Sequence, residues 1–191
     1  MMAIEILPYN PTWPDEFRRI GAIVRQVLGD QALRINHIGS TSVPGLAAKD
    51  IIDVQISVAA LLPAIERAMF NHGFTRRVTI DHDHQPPSMT TAPAEWTKWL
   101  FHEPSGYRPC NLHMRIEGRA NQRYALLFRD YLRAQPLAAQ AYAQVKVALA
   151  ARHADDIAYY YDVKDPVCDI IMAGAAGWAQ QCQWTLPTTD A

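Results

Sequence analysis

Hydrophobic and polar positions change period several times along the chain, and each change predicts an element. Residues 4–7, Ile-Glu-Ile-Leu, read as a short opening strand closed by Pro8-Tyr9-Asn10-Pro11. From Trp13 the apolar positions Phe17, Ile20, Val24, Val27 and Leu28 fall at helical spacing, with arginines between them, until Gly29 ends the run. Residues 34–38 are partly β-branched and predict a strand that runs into Gly39-Ser40-Thr41-Ser42-Val43-Pro44-Gly45, a turn or helix start. Residues 50–58, DIIDVQISV, form the strongest strand pattern, apolar enough for a sheet interior. A helix over 61–72 and a strand over 74–80 follow. Residues 81–95 hold three prolines and no apolar period, which predicts a loop. Residues 96–102 and 110–116 then read as two strands of a hairpin or meander.

Beyond Gly118 the pattern is helical. Tyr124, Leu127, Phe128, Tyr131 and Leu132 make one stripe, and residues 138–151 make a second, alanine-rich helix. Asp165-Pro166 has the form of an N-cap followed by proline in the first turn, predicting a third helix through Trp178. The polar tail from Gln180 is predicted to be loose. The expected architecture is one α/β domain over residues 1–179, with an α/β part at 1–118, a helical part at 119–179, and a loose tail at 180–191.

Composition narrows the function classes. The 191 residues are 49% hydrophobic and 19% charged, a globular balance in a chain long enough for a substantial core. Eighteen basic against nineteen acidic residues leave a net charge of −1, so bulk charge does not indicate nucleic acid as a partner. Cys110, Cys168 and Cys182 have no short paired spacing and make no zinc ribbon. Glu5 and Pro8 interrupt the first residues, and no run approaches the roughly 18 apolar residues of a membrane span. The expected setting is the cytoplasm, away from membranes.

The chemistry concentrates in residues 37–58, HIGSTSVPGLAAKDIIDVQISV: strand end, Gly-Ser turn, then a strand carrying Asp53. A carboxylate within a run of Ile and Val is costly to bury without a partner. Gln55, two residues on, shares its face of the strand. Backbone N–H groups of a Gly-Ser turn can cradle a phosphate, and a carboxylate beside them can hold a metal ion bridging phosphate oxygens. A plain turn, with Asp53 at an exposed strand end, has the same pattern. Asp81-His82-Asp83-His84 offers four potential ligands in a loop, an arrangement that usually forms a solvated turn. Tyr142 with Lys146, and Tyr160 with Lys164, are each spaced by four, so on helices each pair shares a face. Arg129 and Arg133 share one in the same way.

HIGSTSVPGLAAKDIID at 37–53 resembles the hallmark segment of the GrpB family, an uncharacterised family related to the nucleotidyltransferase superfamily. The resemblance continues through LHM at 112–114, FRDYLRAQPLAAQAYAQVKVALA at 128–150 and YYYDVKD at 159–165, covering most of residues 4–178. It implies a nucleotidyltransferase-like fold, a mixed β-sheet flanked by helices with a C-terminal helical segment. In some organisms GrpB-like domains are fused to dephospho-CoA kinase, which points to nucleotide or coenzyme A chemistry. Active nucleotidyltransferases hold two divalent metals on a pair of acids spaced by one and a third acid on a later strand. Asp53 matches the first of the pair. Gln55 stands where the second would be, and the later strand offers Asn111, His113 and Arg115 instead of an acid.

Asn111, His113 and Arg115 on a solvated strand face, with Lys146 on a solvated helix face, would give the same pattern; the residue chemistry taken with the resemblance suggests the following site. Asp53 would anchor Mg²⁺ and Gln55 would orient the ion or a water. His113 would act as general base and Arg115 would clamp a phosphate or carboxylate. Gly39, Ser40, Thr41 and Ser42 would cradle the phosphate with Lys49, while Lys146 and Lys164 turn toward the cleft. The expected partner is a nucleotide or other phosphorylated small molecule. Three readings stay open: nucleotidyl transfer to a small acceptor, a binding module that has lost the acidic metal triad, and a protein-interaction role for the C-terminal helices.

Overall fold

The structure, a computed structural model, describes residues 3–87, 89 and 91–191. Its strands are β1 (Arg34–Ile38), β2 (Ile52–Val58), β3 (Thr75–Arg76), β4 (Lys98–His102) and β5 (Cys110–Ile116). Its helices are α1 (Trp13–Leu28), α2 (Pro63–Asn71), α3 (Ala120–Ala134), α4 (Pro136–Arg152) and α5 (Ile157–Gln181). The sheet runs in the order β1-β2-β5-β4-β3. β2 and β5 are parallel at its centre, and the other neighbours are antiparallel. The fold is thus the mixed α/β sheet with flanking helices that the pattern and the resemblance predict.

Strand alternation divides this sheet into an oily face and a polar face. Ile52, Val54, Ile56 and Val58 of β2 join Leu112 and Met114 of β5 in one core with Trp13, Phe17 and Val24 of α1 and Ile65 and Met69 of α2. The intervening residues Asp53, Gln55 and Ser57 point the other way. Register sets Asn111, His113 and Arg115 beside them, and Lys98 of β4 beside Arg115. Helix α3 roofs this polar layer: the Gln55 side chain donates to the Gln122 carbonyl at 3.1 Å, and Gln122 donates to the Ser57 hydroxyl at 3.3 Å. Val43 and Leu46, just after the Gly-Ser turn, pack with Leu132, Ala139, Tyr142 and Cys168, so α3, α4 and α5 grip the turn.

Four elements differ from the sequence pattern. Residues 4–7 form no sheet strand; Leu7 makes a two-way backbone bridge with Ala48, and the Ile4 N–H reaches the Ala154 carbonyl. The strand expected over 74–80 shortens to Thr75–Arg76, because the chain turns where the Ile80 N–H meets the Arg77 carbonyl. Helix α5 starts at Ile157, eight residues before the expected Asp165 cap, with the Asp156 carboxylate accepting the Tyr159 N–H at 2.9 Å. Pro166 lies inside it at a typical cost of about 3 kcal/mol, offset by burial of Tyr160, Cys168, Met172 and Ala175 on the same helix. Finally, residues 187–191 of the tail expected to be loose run along β1. Thr189 and Asp190 bond to Ile35, and the Asp190 carboxylate accepts from the His37 N–H and from Arg129. An unpaired strand edge with a buried guanidinium beside it gives that polar tail its partners.

Candidate functional site

Gly39 leaves β1 with φ +68, and a Cβ there would meet the Asp53 carboxylate, so both conformation and space call for glycine. The turn that follows is braced from inside. The Ser42 hydroxyl donates to the Gly39 carbonyl at 2.6 Å, and the Thr41 hydroxyl lies 3.0 Å from His37 Nε2. Arg133 donates twice to the Ser42 carbonyl and Arg129 once to that of His37. Burial pushes the His37 imidazole down to about 4, so it is neutral at pH 7. Thr41 and Ser42, expected to touch ligand, are buried and spent on these bonds. Gly39 and Ser40 alone of the four keep partial exposure.

Asp53 sits directly under this turn. Its side chain is 28% exposed and accepts from Asn111 Nδ2 at 2.9 Å, with His113 Nε2 at 3.4 Å. Burial opposes its charge, but the hydrogen bonds from His113 and Asn111 outweigh it and hold the carboxyl below its usual range. Burial, with Arg115 and Lys98 nearby, lowers the His113 pKa. A neutral His113 therefore donates from Nε2 to an ionised Asp53, while its Nδ1 faces Lys98 Nζ at 3.5 Å.

Two expected roles fail on the neighbouring positions. Arg115 is 5% exposed and its fork is occupied: Nε and Nη2 donate to both Asp83 oxygens at 2.7 and 2.8 Å, and Nη1 to Gln55 Oε1 at 2.6 Å. Gln55 is fully buried, its oxygen on Arg115 and its amide on the Gln122 backbone. Neither is free to clamp a ligand or orient a water. The counter-ion, Asp83, comes from the proline-rich loop; it also accepts from Lys98 at 2.7 Å and Asn121 at 3.1 Å. Burial opposes the Asp83 charge, and the Arg115 guanidinium outweighs it, holding the carboxyl far below its usual range. The other members of the 81–84 cluster diverge, His82 pairing with Asp81 and His84 with Asp169.

This donor set does not fit magnesium. A hard cation wants several oxygen ligands with excess negative charge. Here Asn111 turns its NH₂ toward Asp53, the Gln55 oxygen faces a guanidinium, and Arg115 with Lys98 cancels the charge of Asp83 with one positive charge over. Among the described residues no group of three or more His, Cys, Asp or Glu converges on a common point. No chemical step is therefore routed through a metal.

The positive side of the cleft is supplied by the helical part. Lys146 of α4 is 2% exposed, with Nζ 2.7 Å from the Ser40 hydroxyl and 2.6 Å from the Ala47 carbonyl. Burial, then the charges of Lys164 and Lys49, push its pKa down to about 7. Lys49 Nζ lies 4.6 Å from the Tyr160 ring centre and 5.1 Å from that of Tyr161; Lys164 lies 5.4 Å from the latter ring. Lys49, Lys146 and Lys164 are thus brought together opposite the Gly39–Ser40 turn. The pattern missed Asp83, Lys98 and Gln122. Lys98 has a signal, since strand alternation sets it on the face of Arg115, but nothing in a loop of Asp and His marks Asp83 as the buried member. Cavities of about 270 and 240 Å³ lie elsewhere, one by Ile20, Phe74 and Cys110, the other by Leu127 and Met172.

Comparison with known proteins places the chain. The GrpB protein family matches residues 3–173. The chain belongs to the GrpB family. A UPF0157 protein of Halalkalibacterium halodurans is 34% identical over 180 residues, covering 91% of this chain and 83% of that protein. A dephospho-CoA kinase of Mycolicibacterium paratuberculosis is 35% identical over 195 residues, 95% of this chain but 48% of that protein. The chain thus spans about half the length of the curated kinases it matches. The crystal structure of the conserved protein GrpB from Enterococcus faecalis superposes with a TM-score of 0.72 at 26% identity, covering 92% of this chain and 99% of that one. The poly(U) polymerase Cid1 with bound MgGTP reaches a TM-score of 0.47 at 13% identity over 75% of this chain and 43% of its own, too distant to bear on chemistry. Among the described residues of this GrpB chain, no helix is long and apolar enough to cross a membrane.

Proposed function

We propose that this GrpB-family chain binds a phosphorylated small molecule, a nucleotide or a coenzyme A precursor, without needing a metal ion. The observation that carries the reading is the approach of Lys146 Nζ to the Ser40 hydroxyl, with Lys49 and Lys164 close enough to depress its pKa. Three lysines held this close repel one another, and an anionic group beside Ser40 would relieve that repulsion. Lys49 and Lys164 would meet phosphate oxygens as mobile point charges. Tyr161, which is exposed, offers aromatic surface beside them. Half of the matched kinase's length is like this chain, which puts dephospho-coenzyme A among the first ligands to try.

Thermal shift with nucleotides and coenzyme A precursors, in EDTA and in Mg²⁺, tests this. A ligand at 100 times its Kd adds about 2.7 kcal/mol of stability, a readable rise in Tm. The expected shift is equal in EDTA and Mg²⁺ and is lost in Lys49→Ala/Lys164→Ala. A shift seen only with Mg²⁺ would refute it. Nucleotidyl transfer is the second reading, favoured by the hydrogen-bonded Asp53–His113 pair at the same turn. It requires that Asp53→Asn abolish turnover while leaving ligand binding in place.

A further inference from the structure

We propose that Ser40 is a nucleophile served by Lys146 as its base, giving this cleft a serine–lysine acyl-transfer activity toward neutral activated esters or thioesters. Lys146 Nζ stands 2.7 Å from Ser40 Oγ, the distance of a nucleophile–base pair. Its second contact, to the Ala47 carbonyl at 2.6 Å, can only be made by an N–H, so it orients the amine and leaves a lone pair for the hydroxyl. Ser40 is half-buried at the mouth of the turn, within reach of a ligand, and follows a glycine of positive φ. Lys146 also lies 4.6 Å from the ring centre of Tyr142, one helical turn before it on α4, whose hydroxyl lies 3.6 Å from Cys168 Sγ.

The electrophile's class follows from charge. A lysine is a base only while neutral, and the near-neutral pKa of Lys146 depends on burial among like charges. An anionic phosphate beside it would restore the ammonium and silence it, whereas a neutral carbonyl would not. The Ser40 oxygen would bond to the carbonyl carbon while its proton passes to Lys146 Nζ. The bond to the alkoxide or thiolate then breaks, and that group leaves with the electron pair and takes the proton from Lys146. Water next attacks the acyl-serine and gives one proton to Lys146, which passes it to the departing Ser40 oxygen as the carboxylic acid is released. The sum is ester plus water to acid plus alcohol. The activity needs no bound anion, and a phosphate seated beside Ser40, as in the binding reading, would suppress it.

An alkyl fluorophosphonate, itself a neutral electrophile, is the probe. The Ser40 oxygen bonds to phosphorus, fluoride leaves with the P–F pair, and Lys146 takes the proton. Intact-mass and peptide mapping of the full chain should find one adduct, on Ser40, absent from Ser40→Ala. Lys146→Met, with its fold checked by circular dichroism, should label slower by a factor on the order of 10². The wild-type labelling rate should rise with an inflection between about pH 6 and 8. No adduct on Ser40, an equal rate in a folded Lys146→Met, or a rate without that inflection would overturn the proposal.

Discussion

Replacing Lys146 by methionine turns the strangest group in the cleft into a measurement. In the unfolded chain a lysine titrates near 10.4, whereas in the fold this one titrates at about 7. Between those values the unfolded state binds more protons than the native state, so the lysine's contribution to stability rises with pH. The penalty is complete below about pH 7 and is relieved as pH climbs toward 10. Integrated from pH 7.0 to 9.5, the linkage amounts to about 3 kcal/mol. Methionine fills similar volume and removes the titration, while stranding the Ser40 hydroxyl and the Ala47 carbonyl at a cost independent of pH. Urea unfolding of both proteins at the two pH values separates the effects, because every other titrating group is common to both. Wild-type stability minus that of Lys146→Met should grow by about 3 kcal/mol over this interval. Two curves that stay parallel would mean an ordinary ammonium in the native state, and both the crowded-lysine argument and the serine–lysine pair would fall with it.

The remaining predictions concern charge and the tail. Asp83→Asn leaves Arg115 and Lys98 buried against a neutral amide and should cost about 3–5 kcal/mol by urea unfolding. Because the folded-state pKa of Asp83 is depressed, its stabilisation is present above the unfolded value near 3.9 and is lost as pH falls, so the gap to the variant should narrow below about pH 4. Asp190→Ala removes one partner of the buried Arg129 and should cost about 1–3 kcal/mol. Hydrogen exchange should quicken at the His37 amide, which Asp190 accepts; unchanged exchange there would return the tail to the loose state its sequence suggests.

What the sequence revealed of this molecule, and what it withheld, follow from the range of the interactions concerned. Alternation in DIIDVQISV set Asp53 and Gln55 on one face, and the strand at 110–116 set Asn111, His113 and Arg115 together, both as found. The polar character of the Gln180–Ala191 tail was equally visible, but its docking depends on β1 being an open edge and on Arg129 standing beside it. The start of α5 was misplaced because Asp-Pro satisfies a local cap rule, while burial along the whole helix decided the outcome. Arg115 looked like a ligand clamp for the same reason: its type and face were legible, its pairing with a loop aspartate was not.

That pairing divides the cleft into a neutralised side and a responsive one. On the sheet, Asp83 quenches Arg115 and Lys98, and Asn111 and His113 satisfy Asp53, so little charge is left to answer a ligand. On the helices, Lys146 and Lys164 face Lys49, with Asp165 beside Lys164 and the charge of Asp53 acting on Lys146 as partial offsets. The ability to respond to an anion, or to take a proton from Ser40, therefore rests with α4 and α5. Helix α3 covers the quenched side, with Asn121 on Asp83 and Gln122 over Ser57. A fragment of residues 1–118 would expose that buried ion network and lack two of the three lysines. A role for the C-terminal helices as a detachable partner surface requires that fragment to stay folded, and the same contacts argue that it would not.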